Sequence, residues 1–163
     1  MKNNCTKILL LSTILSSLFY AESNAATGNA SATVVTAIAV SETTAMQFGL
    51  FSASGSTGTI NQAGTATGGV TAIASGVTRS AGIFAVTGTG NASYTFTLPS
   101  TATLTRSGES ETMTADLSFN SGNGTRSLTS GSENVTINGS LTVAANQIAG
   151  VYNGTYTVTV AYN

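Results

Sequence analysis

The chain has 163 residues, and charged residues make up only 7% of it, with 5 Lys and Arg against 6 Asp and Glu. So few cations leave no basic surface for nucleic acid or anionic lipid. With no histidine and a single cysteine, Cys5, the composition excludes Cys–His and Ser–His–Asp nucleophiles, most transition-metal sites and a disulfide framework.

The first element is a leader. Lys2 and Lys7 precede the apolar run "ILLLSTILSSLF", and "AESNAA" comes after it with small residues at Ser23 and Ala25. This pattern predicts a secretory signal peptide over residues 1–25, cleaved after Ala25. The run is short for a bilayer span, and no later segment is apolar enough for one. The expected mature chain, 26–163, carries Arg79, Arg106 and Arg126 against Glu42, Glu109, Glu111, Asp116 and Glu133. A globular surface usually carries about 25–35% charged residues, so Thr, Ser, Asn and Gly must supply solubility here. Threonine alone occurs 29 times.

Directly after the cleavage site, "TGNASATVVTAIAV" (27–40) places Ala30, Ala32, Val34, Ile38 and Val40 on one parity, interrupted by Thr36. Two uses are open to such a strand: pairing within its own domain, or serving as an arm for another molecule. Shorter strands are expected at 46–51 "MQFGLF", 70–74 "VTAIA", 83–87 "IFAVT" and 102–105 "ATLT". The stretch "SASGSTGTINQAGTATGG" reads as turn-rich punctuation, as do "SGNG" and "TSGS".

Three segments alternate with period two: 91–98 with Ala92, Tyr94, Phe96 and Leu98 inward, 113–119 with Met113, Ala115, Leu117 and Phe119, and 135–143 with Val135, Ile137, Leu141 and Val143. Each reads as a strand with one buried face. Asn138-Gly139 suits either a hairpin turn or a bulge. The parity is unbroken across it, which favours one continuous, kinked strand. About nine short strands with Thr-rich outer faces predict an antiparallel β-sandwich.

Little catalytic chemistry is available. Glu109 and Glu111 lie in "RSGESE", a turn-like stretch without an apolar wall, and read as a solvated loop. Asp116 should face outward. Each arginine sits in a Thr-Arg-Ser triplet, at 78–80, 105–107 and 125–127, without a fixed period, which reads as coincidence in a Thr- and Ser-rich chain. The six Asn-X-Ser/Thr sequons of residues 26–163 are expected from composition. No enzyme, cofactor or metal is expected, because the side chains for acid–base or nucleophilic work are absent.

The last segment, "GVYNGTYTVTVAYN" (150–163), has the most regular pattern. Tyr152, Gly154, Tyr156, Val158, Val160 and Tyr162 share one face, and Asn153, Thr155, Thr157, Thr159 and Asn163 the other. Gly150 stands fourteenth from the end, and Tyr162 is penultimate. With "MQFGLFSASGSTGTI" near the start, these residues resemble structural subunits of chaperone–usher fimbriae, of the archaic branch or a related fimbrial-like domain family. The resemblance spans residues 26–163 in architecture, but its motifs cover only the two ends. Many such pilins tie their first strand with a disulfide, and this chain departs from that.

The resemblance implies an immunoglobulin-like antiparallel β-sandwich, incomplete and completed by a donor strand from a neighbouring subunit. It implies a donor segment over residues 26–40, running into the chain's own first strand, and a pilin domain over 41–163. Ala30, Ala32, Val34 and Ile38 would be the donor anchors. Gly150, Tyr152, Tyr156, Val158, Val160, Tyr162 and Asn163 would form the acceptor groove and the strand that contacts a chaperone. The implied partners are identical or related pilin subunits, a periplasmic chaperone and an outer-membrane usher, with no nucleic acid. The implied route runs through the periplasm to the cell surface, for a fimbria supporting adhesion or biofilm formation. Burying one Val or Ile is worth roughly 1.5–3 kcal/mol, and the whole arm about 5–10 kcal/mol at most. The rival expectation is a self-complete secreted β-sandwich adhesin or carbohydrate-binding module, which an exposed aromatic platform would favour. The chain has no Trp, and its Tyr fall mostly on inward parities.

Overall fold

The computed structural model describes residues 24–74, 76, 78–119 and 124–163. The expected leader lies outside the described residues as far as residue 23. The chain divides into two units, Met1–Thr33 and Val34–Asn163. In the first, residues 24–33 contain no strand.

The second unit is an antiparallel β-sandwich without a helix among the described residues. Its strands are β1 (Ala39–Thr44), β2 (Leu50–Asn61), β3 (Ala66–Ile73), β4 (Gly82–Thr87), β5 (Ser93–Thr97), β6 (Thr101–Arg106), β7 (Thr112–Phe119), β8 (Gly124–Ser127), β9 (Ser132–Val143), β10 (Tyr152–Asn153) and β11 (Thr159–Tyr162). The large sheet runs β1-β4-β9-β7-β6-β10, with the β2–β3 hairpin joined to it through β9, and the small sheet runs β11-β5-β8.

Strand β9 organises the large sheet. Its first half pairs β4, from Thr87↔Ser132 to Gly82↔Ile137. Its second half pairs β2, from Asn61↔Ser140 to Gly58↔Val143. Both lie on the edge opposite β7, which pairs β9 from Phe119↔Ile137 to Thr114↔Thr142. Asn138-Gly139 falls where β4 hands over to β2. Gln62 fills this gap, donating to Asn138 Oδ1 at 2.7 Å and accepting from the Gly139 amide at 3.0 Å. The ladder bond that neither strand supplies is thus replaced, and β9 runs unbroken as the parity predicts. Gly139 has no side chain because Met46 and Phe48 occupy the space a Cβ would take.

The core lies between the sheets. Met113, Ala115, Leu117 and Phe119 are buried along β7 and alternate with exposed neighbours, and Val135, Ile137, Leu141 and Val143 are buried in the same way along β9. Tyr94 and Phe96 of β5 are fully buried. Phe96 meets Phe119 edge-on, with ring centroids 5.3 Å apart, and so links the two sheets. Asp116 faces outward as expected.

Three readings of the sequence differ from the fold. The Gly- and Ser-rich stretch taken as punctuation is the β2–β3 hairpin, in register from Leu50↔Ile73 to Ile60↔Ala66 across an irregularity. Its stability comes from backbone pairing and from Ile60 and Val70 in the core, a signal the small side chains hide. Residues 46–49 are not strand and make one isolated bridge, Gln47↔Ser80. Strand β1 begins only at Ala39 and extends through the polar residues "SETT".

The arginines have different structural partners. Arg79 donates to the carbonyls of Phe48 at 3.1 Å and of Leu50 and Ile73, both at 2.8 Å. Arg106 pairs with Glu111 at 3.3 Å. Arg126 binds Glu133, which also accepts from the Tyr94 hydroxyl. Burial and the Glu133 carboxylate push Tyr94 up to about 12. Burial would raise Glu133, but the bonds from Arg126 and Tyr94 outweigh it and hold the carboxyl below its ordinary value. Its folded-state value is therefore the lower one. The stability it contributes is present above the unfolded value near 4.5 and is lost as pH falls through the folded value. Glu133→Gln should cost about 1–3 kcal/mol at pH 7, typical of bonds to a charged group. It should also flatten the fall in Tm between neutral and acid pH, measured by thermal unfolding of the monomeric chain. An unchanged acid limb would count against the network.

Candidate functional site

The sandwich is open along one side. Strand β1 pairs only with β4, β10 only with β6, and β11 only with β5, among the described residues. The leading strand and the closing strand thus each keep one unpaired edge. Unpaired strand edges are templates for strand addition.

Between the segment that follows β1 and strand β10 lies an apolar cleft. Residues Ala45–Phe51 form one wall and Gly150–Asn153 the other, with Leu104, Met113 and Leu141 as floor, around a volume of about 500 Å³. It is prolonged by a narrower space of about 120 Å³ over Ala102, Ala115 and Leu117, ending at Tyr156. The rim is apolar too: Leu50 is 50% exposed and Val151 66%. Arg79 stiffens the first wall by holding the carbonyls of Phe48 and Leu50, and the Arg106 side chain packs against Gly150 of the second.

Beyond the cleft two tyrosines cross from the closing segment to β4. Tyr156 meets Phe84 edge-on at 5.9 Å, with its hydroxyl over Gly82. That hydroxyl is buried without a hydrogen-bond partner, and burial, with the Glu42 charge adding to it, pushes the phenol up to about 12. The Tyr162 hydroxyl lies over Gly88, accepts from the Thr89 amide at 2.7 Å and donates to the Thr36 carbonyl at 2.8 Å. A side chain at Gly82 or Gly88 would collide with these hydroxyls, so glycine is required for the strands to be bridged there.

The residues expected from sequence occupy three different settings. Gly150 and Tyr152 line the cleft, and Tyr156 closes its narrow part. Val158 is buried in the core, and Val160 packs against it. Tyr162 bridges the closing strand to Thr36 and Thr89. Asn163 donates its amide to the Ser93 carbonyl at 3.2 Å and accepts from Thr95. The shared parity from Tyr152 to Tyr162 holds, although the segment splits between two sheets. Ala30 and Ala32 lie in residues 24–33, and both are exposed. Val34 is 97% exposed, whereas Ile38 packs partly against the chain's own core. Sequence reasoning missed the floor, Leu104 and Met113, which is created by their pairing across β6 and β7. It also missed Thr89.

Among the described residues no three His, Cys, Asp or Glu side chains are grouped so as to hold a metal ion. No helix among them is long and apolar enough to cross a membrane. No curated protein and no solved structure matches the chain. Residues 38–162, which take in every strand from β1 to β11, match the family described as "Domain of unknown function (DUF4402)", and the chain belongs to that family.

Proposed function

We propose that the protein is a structural subunit of a surface fimbria that polymerises by donor-strand complementation. The observation that supports this is the cleft: β10, paired on one side only, and Ala45–Phe51 flank an apolar floor. An occupant that pairs with the free β10 edge must supply backbone hydrogen bonds along one side and apolar side chains on alternate positions, which means an extended strand. The leading segment 26–35 has that form, with Ala30, Ala32 and Val34 on one parity. A neighbour's segment would complete the sandwich in the fibre. A periplasmic chaperone would cover the cleft before assembly, and an outer-membrane usher would be the site of exchange. Slow strand release would make such a polymer durable without disulfides.

Purification of residues 26–163 tests the reading. The chain should form polymers visible by electron microscopy. A synthetic peptide of residues 26–37 in excess should instead give capped monomers with a raised Tm. A chain that stays monomeric and does not bind the peptide would be a self-complete sandwich, and the proposal would fall.

A further inference from the structure

The cleft is not of one width, and the change falls between two neighbouring rungs of its floor. Leu104↔Met113 lies under the wide part, and Ala102↔Ala115 lies under the narrow part. The two rungs are two residues apart along β6 and β7, about 7 Å. That is also the step between alternate side chains of an extended strand. An occupant running along the cleft therefore sets one inward side chain over the leucine–methionine rung and the next over the alanine rung.

The alanine floor does not widen the space above it, because the walls close in. Met46 and Phe48 stand on one side, and Tyr152 and Tyr156 on the other. Three of these four are fixed. The Tyr152 hydroxyl accepts from Gln147 Nε2 at 2.8 Å and donates to the Ile148 carbonyl at 2.7 Å. Tyr156 is seated edge-on against Phe84, with its hydroxyl over Gly82. Phe48 is buried against Gly139, and Arg79 holds its carbonyl. Only Met46, unbranched and partly buried, is of a kind that yields readily. Extra methylenes forced between fixed groups are destabilising. The wide part makes no such demand, since Leu104, Met113 and Leu141 line it beneath an exposed rim.

The leading segment carries side chains of matching size. Along its apolar parity Ala30 and Ala32 are small, and Val34 is branched. With Val34 over the Leu104–Met113 rung, Ala32 falls over the alanine rung. A strand with a large residue at every alternate position would fill the wide part and jam in the narrow one.

Resting on the fimbrial reading, we propose that the Ala102–Ala115 rung and its walls make the narrow part a size filter. It admits alanine and rejects larger side chains, so the cleft selects the leading segment of a second copy of this chain over more hydrophobic strands.

The test titrates three peptides of residues 26–37 against the chain 26–163: wild type, Val34→Ala, and the double variant Ala30→Leu with Ala32→Leu. The readouts are the yield of capped monomer by size exclusion and the rise in Tm. Val34→Ala should need about tenfold more peptide, because less apolar area is buried. The double variant is the more hydrophobic peptide, yet it too should need about tenfold more, because it overfills the narrow part. Met46→Ala in the chain should close the gap between the double variant and the wild-type peptide. A double variant that caps as well as the wild-type peptide, or a gap that Met46→Ala leaves unchanged, overturns the filter and leaves the fimbrial reading standing. A wild-type peptide that neither caps nor stabilises the chain overturns both.

Discussion

Removal of residues 26–35 from the expected mature chain should abolish polymer formation and leave the sandwich folded. The shortened chain keeps Thr36 with its hydrogen bonds and the partly buried Ile38 and Val40. It also keeps every strand of the second unit. What it loses is the segment carrying Ala30, Ala32 and Val34, the last 97% exposed in the lone chain. Exposed residues away from special features seldom shift stability by more than about 0.5 kcal/mol, so thermal unfolding of the monomer should change little. Assembly should change completely. A chain without an arm still offers a cleft, so it can receive a neighbour's segment and give none in return. Mixed with wild type it should cap free arms, and the mean fibre length in electron micrographs should fall as its share rises. Fibres of unchanged length, or polymers formed by the shortened chain alone, would mean that some other surface joins the copies.

The sequence announces those parts of the fold whose signal is carried by large side chains. Along β5, β7 and β9 the apolar residues alternate with polar ones, and burial keeps to that alternation. The β2–β3 hairpin is concealed for the opposite reason. Its side chains are mostly Ser, Gly, Thr and Ala, and what orders it is backbone pairing on both edges of β2. Strand formation depends on such context more than on intrinsic preference. The cleft divides along the same line. The wall from Gly150 to Tyr156 is legible because Tyr152 and Tyr156 alternate with polar residues. The opposite wall, Ala45–Phe51, is legible as apolar, but not as a segment whose residues 46–49 leave the strand conformation. The floor and the Tyr162 bridge join residues distant along the chain, such as Thr36, Thr89 and Tyr162, and no local pattern encodes that meeting. The three Thr-Arg-Ser triplets make the point in reverse. Identical in sequence, they bind three carbonyls, the Glu111 carboxylate and the Glu133–Tyr94 pair.

Leu104→Asp should block strand docking with little effect on the isolated chain. Leu104 is half-buried, faces its β7 partner Met113 and lines both the wide and the narrow parts of the cleft. In the empty cleft a carboxylate there remains in contact with water and keeps its charge at modest cost. Under a docked strand the same carboxylate would be sealed against Met113 and the occupant's apolar side chains. No Lys or Arg is among the residues lining either part of the cleft. Burial of an unpaired charge is strongly unfavourable, and a penalty of about 3 kcal/mol already lowers the docking constant more than 100-fold. Polymer yield should fall accordingly, and excess peptide of residues 26–37 should no longer raise the Tm. Thr103→Asp supplies the control. It adds the same charge one position away on β6, on the exposed face, and should assemble as wild type. The contrast between the two variants separates burial of charge in the cleft from a general effect of added negative charge on association. Equal yields from both would mean that Leu104 is not covered when copies join, and the occupant would have to lie somewhere other than between Ala45–Phe51 and β10.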